Sequence, residues 1–315
     1  MKIAIIGATS QIAKDFINQC SDEHALLLFS RKTKQVEQFM FDIGYKNFVA
    51  LDYGVLKGRQ FYVDAVINFV GVGDPARLAE MKGEIFEVTK KYDEIALQFL
   101  RRPDTKYIFL SSGAAYGGTF DKPARYGEKM TYPQEITSQH YYGLAKWLAE
   151  IKHRTMFDKH IVDLRVFSYF SHTQPLNLKF MIMEMMQAIL RQRGIDTTPY
   201  AVDDTDIVRD YIGPEDLHRL IFCILEAPGF NGAIDAYTKE PISKHALLRA
   251  LDEFYGLDYI VTERIFNSPT GIKPNYYSEY YKAGTLGYQP QMTSLETILK
   301  EADQLLERHD PGSQS

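Results

Sequence analysis

The chain has 315 residues, of which 45% are hydrophobic and 24% charged, and carries a formal net charge of −5. That profile belongs to a globular chain with one large or two unequal domains, so it excludes disordered proteins and small scaffolds held by disulfides or metal. The two cysteines, Cys20 and Cys223, lie far apart with no Cys or His at ligand spacing. Neither a disulfide framework nor a metal site is therefore expected, and a reducing, cytoplasmic setting fits. Nucleic acid is disfavoured because no Lys/Arg stripe exists to neutralise phosphates, and no apolar stretch reaches the roughly 20 residues of a membrane span.

The first apolar run, residues 3–6, ends at Gly7 rather than extending into an export signal, and Ile12, Phe16 and Ile17 then recur at helical spacing. Strand, turn and helix follow in that order. Further apolar runs at 25–29, 48–51, 65–70, 107–110 and 161–166 alternate with amphipathic stretches, one of them at 84–100. This alternation predicts an α/β fold, a Rossmann-like doubly wound parallel sheet with helices on both faces. Residues 1–166 read as a dinucleotide-binding domain with a lid loop at 117–139, where Gly, Pro, Lys, Asp and Tyr replace the periodic pattern. After residue 166 helical patterns dominate, at 180–190, 214–225, 243–254 and 294–307, and predict a smaller C-terminal substrate-binding region over 167–309. A polar tail, 310–315, is expected to fray.

The turn Gly7-Ala8-Thr9-Ser10-Gln11-Ile12-Ala13 stands where a dinucleotide fold passes from its first strand to its first helix. Glycine suits the tight turn and a small residue suits the helix packing, although a merely capped helix with Ser10 or Thr9 as the cap reads equally well. At the end of the second strand, Ser30 and Arg31 stand where a carboxylate would accept from the ribose hydroxyls of NAD. Donors there favour the 2′-phosphate of NADP, with NAD possible; the plainer alternative is a solvated basic turn. Tyr142 and Lys146 lie four apart in a helical stretch, which puts phenol and ammonium on one face. An ammonium in that place is expected to hold the phenol pKa down and make the pair an acid/base unit. Tyr53 and Lys57 share the spacing, but only Tyr142 opens a helix after a strand ending in Ser111-Ser112-Gly113. The Ser112 hydroxyl at that sheet edge could hold a substrate oxygen or simply cap a turn.

Taken together, Gly7-Ala8-Thr9-Ser10, Asp64-Ala65-Val66-Ile67-Asn68-Phe69-Val70-Gly71, Ser111-Ser112-Gly113-Ala114-Ala115-Tyr116-Gly117, Tyr142-Gly143-Leu144-Ala145-Lys146, Leu164-Arg165-Val166-Phe167-Ser168 and Arg209-Asp210-Tyr211-Ile212 occur in one order. The chain thereby resembles the extended short-chain dehydrogenase/reductases, the NAD-dependent epimerase/dehydratase group that modifies nucleotide-activated sugars. The resemblance implies a catalytic triad of Ser112, Tyr142 and Lys146. It implies cofactor contacts from Gly7, Thr9, Ser10, Gln11, Ile12, Ser30, Arg31, Asp52, Phe69, Val70, Gly71, Tyr142, Lys146 and Phe167. It also implies substrate contacts from Ser112, Ser168, Asn177, Leu178 and Arg209, with Arg209 on the diphosphate unless it pairs with Asp206 or Asp210. Homodimerisation through the helices carrying Tyr142 and residues 84–100 is expected on the same ground.

The departures from the family pattern narrow the reaction. Gly113 and Ala114 replace the acid and base of the 4,6-dehydratases, and neither cysteine lies near a motif. His140 and His172 are the remaining candidates for extra proton transfer, or bystanders. The expectation is an NADP(H)-dependent oxidoreductase that reduces a keto group, at C4, of a nucleotide-diphosphate sugar. A nucleotide-sugar 4-epimerase and a non-catalytic dinucleotide sensor are the alternatives.

Overall fold

The computed structural model describes residues 1–309 apart from 73, 126–129, 133, 195, 264–272 and the side chain at 75, so the tail at 310–315 lies outside the described residues. Strands β1 (Lys2–Ile6), β2 (Ala25–Phe29), β3 (Phe48–Leu51), β4 (Ala65–Asn68), β5 (Lys106–Ser112) and β6 (His160–Val166) alternate with helices. These helices are α1 (Gln11–Asn18), α2 (Thr33–Asp42), α3 (Pro75–Met81), α4 (Glu84–Leu97) and α5 (Tyr141–Thr155). The chain continues through β7 (Ser168–Tyr169), α6 (Met181–Gln192), β8 (Tyr200–Asp203), β9 (Val208–Arg209), β10 (Tyr211–Ile212) and α7 (Pro214–Glu226). It ends with β11 (Gly232–Asp235), β12 (Ile242–Ser243), α8 (Lys244–Tyr255), β13 (Tyr259–Thr262), β14 (Asn275–Tyr276) and α9 (Ser294–His309).

The main sheet has seven strands in the order β11-β6-β5-β4-β1-β2-β3, all parallel. Alternation along each strand sends side chains to opposite faces. Ile3 and Ile5 accordingly pack with Phe16, Ile17, Leu220 and Ile224, while Ala4 and Ile6 pack with Tyr92, Ala96, Phe99 and Ala149. Both faces are dry, which is why the strands read as continuous apolar runs. Strand order reverses between β1 and β4, and such a switch point opens a crevice at the carboxyl ends of the strands.

Three boundaries differ from the sequence expectation. Strand β4 stops at Asn68, because the Asn68 side chain accepts the Val70 N–H at 3.0 Å and turns the chain. Helix α4 ends at Leu97 and the chain tightens, with Phe99 and Leu100 N–H groups bonding three residues back. Residues 214–235 do not join the C-terminal region. Helix α7 buries its apolar face in the same core as α1, and β11 lies beside β6. The separate C-terminal core consists of α6, α8 and α9, through Met183, Met186, Leu247, Leu251, Ile298 and Leu305. Among the described residues no helix is long and apolar enough to cross a membrane.

Candidate functional site

The first turn is shaped by steric demand. Gly7 has φ of +82°, and a Cβ placed there would meet Val70 Cγ2 at 2.7 Å, so only glycine lets the turn approach the end of β4. Ser10 caps α1, its hydroxyl accepting the Ala13 N–H at 3.3 Å. The capped-helix reading is thus correct as local structure, and it leaves the turn at the carboxyl edge where a dinucleotide's phosphates would lie. Beside it, Thr9 Oγ1 and Ser30 Oγ are 3.4 Å apart, and Ser30 also accepts the Lys32 N–H. Arg31 is exposed next to them. Asp52 caps a short 3-10 turn through the Gly54 N–H at 2.7 Å. The Tyr53 phenol accepts the Gly7 N–H and donates to the Phe29 carbonyl. That bracing role accounts for Tyr53, whose spacing to Lys57 repeats that of Tyr142 and Lys146.

Gln11 turns toward the C-terminal region, donating to Asp15 and Thr173, and Tyr169 donates to the same Asp15 carboxylate. Ile12 packs against the α1 side of the core, and Phe69 is buried against Phe16 at 5.5 Å between ring centroids. These two therefore support the turn from below.

At the other side of the crevice, α5 lies on the turn that follows β5. A Cβ at Gly143 would fall 2.3 Å from the Ala114 carbonyl, which explains a glycine inside a helix. Close packing brings the predicted triad together. Lys146 is buried, donates to the Leu110 carbonyl at 2.7 Å, and stands 4.5 Å from the Phe109 ring and 5.9 Å from the Tyr142 ring. A Cβ at Gly71 would sit 3.6 Å from its Nζ, an ordinary contact distance, so Gly71 borders this corner. Burial pushes the Lys146 ammonium down to about 8, against the pull of Glu150, Asp163 and Asp93. The half-buried Tyr142 phenol lies above its ordinary value because burial outweighs its hydrogen bond to Ser112. This corrects the expectation of a phenol held down by its neighbour. The ammonium is directed at Leu110 and is itself desolvated, so it does little for the phenolate.

Ser112 Oγ accepts the Ala114 N–H at 3.2 Å and lies 3.1 Å from Tyr276 Oη. Phe167 covers Gly113 so closely that a Cβ there would fall 2.3 Å from the ring. No acid can be grafted at that position without displacing Phe167. Ser168 is half-buried on β7, which pairs with β10. Asn177 is exposed on the loop ahead of α6, and Leu178 packs on the C-terminal core rather than into the crevice.

Arg209 donates from Nη1 to the Val208 and Lys273 carbonyls at 2.8 and 2.7 Å, and burial lowers its pKa. The two acids suspected as its partners are engaged elsewhere. Asp210 accepts from Thr238 and Ser294, and Asp206 faces His245. Lys273 approaches from β14's side, 4.8 Å from the Tyr276 ring, and burial beside Arg209 lowers it to about 8. Two cations thus meet over Tyr276, and no carboxylate among the described residues offsets them.

Neither candidate histidine is free. His140 Nδ1 bonds Thr137 at 3.1 Å, and His172 Nδ1 bonds Glu301 at 2.7 Å. The Cys20 thiol donates to the Phe16 carbonyl and is pushed up to about 12 by burial, so it is not a nucleophile. Sequence reasoning passed over Lys273 and Tyr276, which no family motif marks. It also passed over a buried polar layer behind the triad. There Glu150 accepts from Ser111 at 2.6 Å and pairs with Arg165, while His153 bridges Asp93 and Asp163 at 2.7 and 2.6 Å.

The family model described as "NAD dependent epimerase/dehydratase family" matches residues 3–237. No significant relative is found among curated protein sequences. Solved structures with the same fold include a UDP-glucose 4-epimerase with UDP-glucose from Thermotoga maritima, 17% identical, TM-score 0.78, covering 98% of this chain and 99% of that one. A UDP-N-acetylglucosamine 4-epimerase from Methanobrevibacter ruminantium M1 in complex with UDP-N-acetylmuramic acid is 14% identical with a TM-score of 0.80, covering 98% of each chain. A UDP-glucuronic acid 4-epimerase from Bacillus cereus in complex with UDP-glucuronic acid and NAD is 17% identical with a TM-score of 0.75, covering 98% and 100%.

Proposed function

The chain belongs to the NAD-dependent epimerase/dehydratase family, and from that premise we propose that it reduces a keto group, at C4, of a nucleotide-diphosphate sugar with NADPH. The observation that carries the reading is the edge where Ser112, Tyr142 and Lys146 meet beside a Gly113 that Phe167 seals against any longer side chain. A dehydratase needs an acid and a base there. An enzyme confined to hydride and proton exchange at one carbon does not.

The residues fit a nicotinamide dinucleotide. Gly7 and Gly71 bring backbone without a side chain to the edge where the cofactor would pass, and a Cβ at Gly7 would collide with Val70. Gly7, Thr9, Ser10 and Gln11 would hold the pyrophosphate with Ile12 and Phe69 beneath, and Asp52 and Val70 would flank the adenosine. Ser30 and Arg31 would donate to a 2′-phosphate, and Phe167 and Lys146 would position the nicotinamide end. When bound, the reduced cofactor supplies the hydride. Ser112 orients the keto oxygen, and Tyr142 protonates it as the alkoxide forms. A phenol above its ordinary value carries its proton at neutral pH, the state from which a donor must start.

Arg209 and Lys273 would clamp the diphosphate; a guanidinium and an ammonium that meet no carboxylate among the described residues suit an anion, and the guanidinium fork matches phosphate oxygens. Asn177 and Ser168 would lie along the nucleotide and sugar. Leu148 and Ile151, 50% and 41% exposed on the outer face of α5, would pair with a second copy in a dimer. The free cysteines suit the cytoplasm.

A 4-epimerase is the second reading, favoured by the three 4-epimerases of like fold. The two separate in one assay. Steady loss of reduced-nicotinamide absorbance with a 4-keto sugar nucleotide supports the reductase; interconversion of two sugar nucleotides without net absorbance change supports the epimerase. Absence of both overturns the proposal.

A further inference from the structure

The hydroxyl of Ser112 already has a partner of the chain's own. Tyr276 Oη lies 3.1 Å from Ser112 Oγ, in the crevice beside Tyr142. We infer that Tyr276 is a built-in competitor of the sugar: its phenol occupies the place on Ser112 that the reacting sugar oxygen requires and must withdraw when substrate binds. The inference rests on the nucleotide-sugar reading above.

The phenol is held in place from its ring. Phe120 and Phe167 pack on it at 4.9 and 5.2 Å, and Lys273 and Arg209 approach at 4.8 and 5.7 Å. The backbone beneath is fixed, because β14 pairs with β9, Asn275 N–H bonds the Phe120 carbonyl, and the Ser278 hydroxyl donates to Asp235 at 2.6 Å. Only side-chain rotation is left to free Ser112. The same two cations that would clamp a diphosphate also grip the ring. A site whose competent form is only part of the population binds with affinity reduced by that fraction.

The test is a calorimetric double-mutant cycle on the full chain, with wild type, Tyr276→Phe, Ser112→Ala and the double variant, titrated with UDP-glucose, dTDP-glucose, UDP and dTDP. Removing the phenol oxygen frees Ser112 of one hydrogen bond, so Tyr276→Phe is expected to bind the sugar nucleotide roughly three- to tenfold tighter. Binding of the bare diphosphate stays unchanged, and the gain vanishes in the Ser112→Ala background. Unchanged or weaker sugar-nucleotide binding by Tyr276→Phe overturns the inference. So does an equal gain for the bare diphosphate, or a gain that persists without Ser112. If none of the four ligands binds wild type, the nucleotide-sugar reading itself fails and the inference falls with it.

Discussion

His153 offers the sharpest test of how the candidate site is held. Its imidazole is fully buried between Asp93 on α4 and Asp163 on β6, at 2.7 and 2.6 Å, with Lys152 on Asp93 and Arg154 on Asp163. Burial alone would lower its pKa, but the hydrogen bonds and charges of Asp163 and Asp93 outweigh it and raise it from 6.5 to about 9. Such a rise corresponds to roughly 3 kcal/mol of folding stability. Because the folded value lies above the unfolded one, this contribution is complete below 6.5 and disappears as pH climbs through about 9. The perturbation is His153→Gln, which keeps two polar ends and cannot carry the charge. Urea unfolding followed through Trp147, the single tryptophan and a residue of α5, reports on the helix concerned. Wild type should exceed the variant by a margin that shrinks by about 3 kcal/mol between pH values below 6.5 and above 9. His153→Ala, which leaves two buried carboxylates facing each other, should cost about 3–5 kcal/mol at neutral pH. Parallel pH curves for wild type and His153→Gln would refute the assignment of a charged imidazole.

Three further outcomes follow from the site. Tyr142→Phe should lower turnover about 10²–10⁴-fold while NADPH binding, read by fluorescence, survives. Turnover should fall as pH rises past about 8, where Lys146 loses the proton that makes it a cation, and Lys146→Met should abolish that alkaline limb together with most of the rate. Arg31→Glu should reverse the cofactor preference, raising the KM for NADPH roughly tenfold and leaving NADH nearly unaffected, since a carboxylate at the end of β2 repels a 2′-phosphate and accepts from ribose hydroxyls.

The parallel sheet and its first glycine turn were legible because its central strands are buried on both faces and are punctuated by glycine, proline or polar residues. Ser112, Tyr142 and Lys146 were legible from spacing joined to motif order. What escaped reading arises from contacts between distant segments. Tyr276 reaches Ser112 across 164 positions of sequence, and its approach depends on β14 pairing beside Arg209. Lys273 looks like one more surface lysine until that pairing turns it over the same ring. The return of α7 and β11 to the main sheet was hidden because β11 is a four-residue strand with one bulky aliphatic side chain, Ile234. The direction of the Tyr142 pKa also needed coordinates. Spacing places an ammonium on the same helix face, but only the structure reveals that it donates its hydrogen bond to the Leu110 carbonyl.

One part of the buried layer was readable and passed over. Along α5, Lys146, Glu150 and His153 recur at intervals of four and three, so the face turned toward the sheet carries charge where an ordinary helix carries aliphatic groups. Burying three ionisable groups is costly unless each finds a partner, and each does: Leu110 for Lys146, Ser111 and Arg165 for Glu150, Asp93 and Asp163 for His153. These partners sit on β5, β6 and α4, and rotating α5 by even a fraction of a turn would break all of them together. Shifting the helix along its axis is opposed as well, because Gly143 already touches the Ala114 carbonyl. An apolar face could have slid at small cost, whereas this one fixes the α5 residues Tyr142 and Lys146 against the end of β5, which carries Ser112. That rigidity is what the proposed proton transfer from Tyr142 to a keto oxygen would demand of the helix that carries the donor.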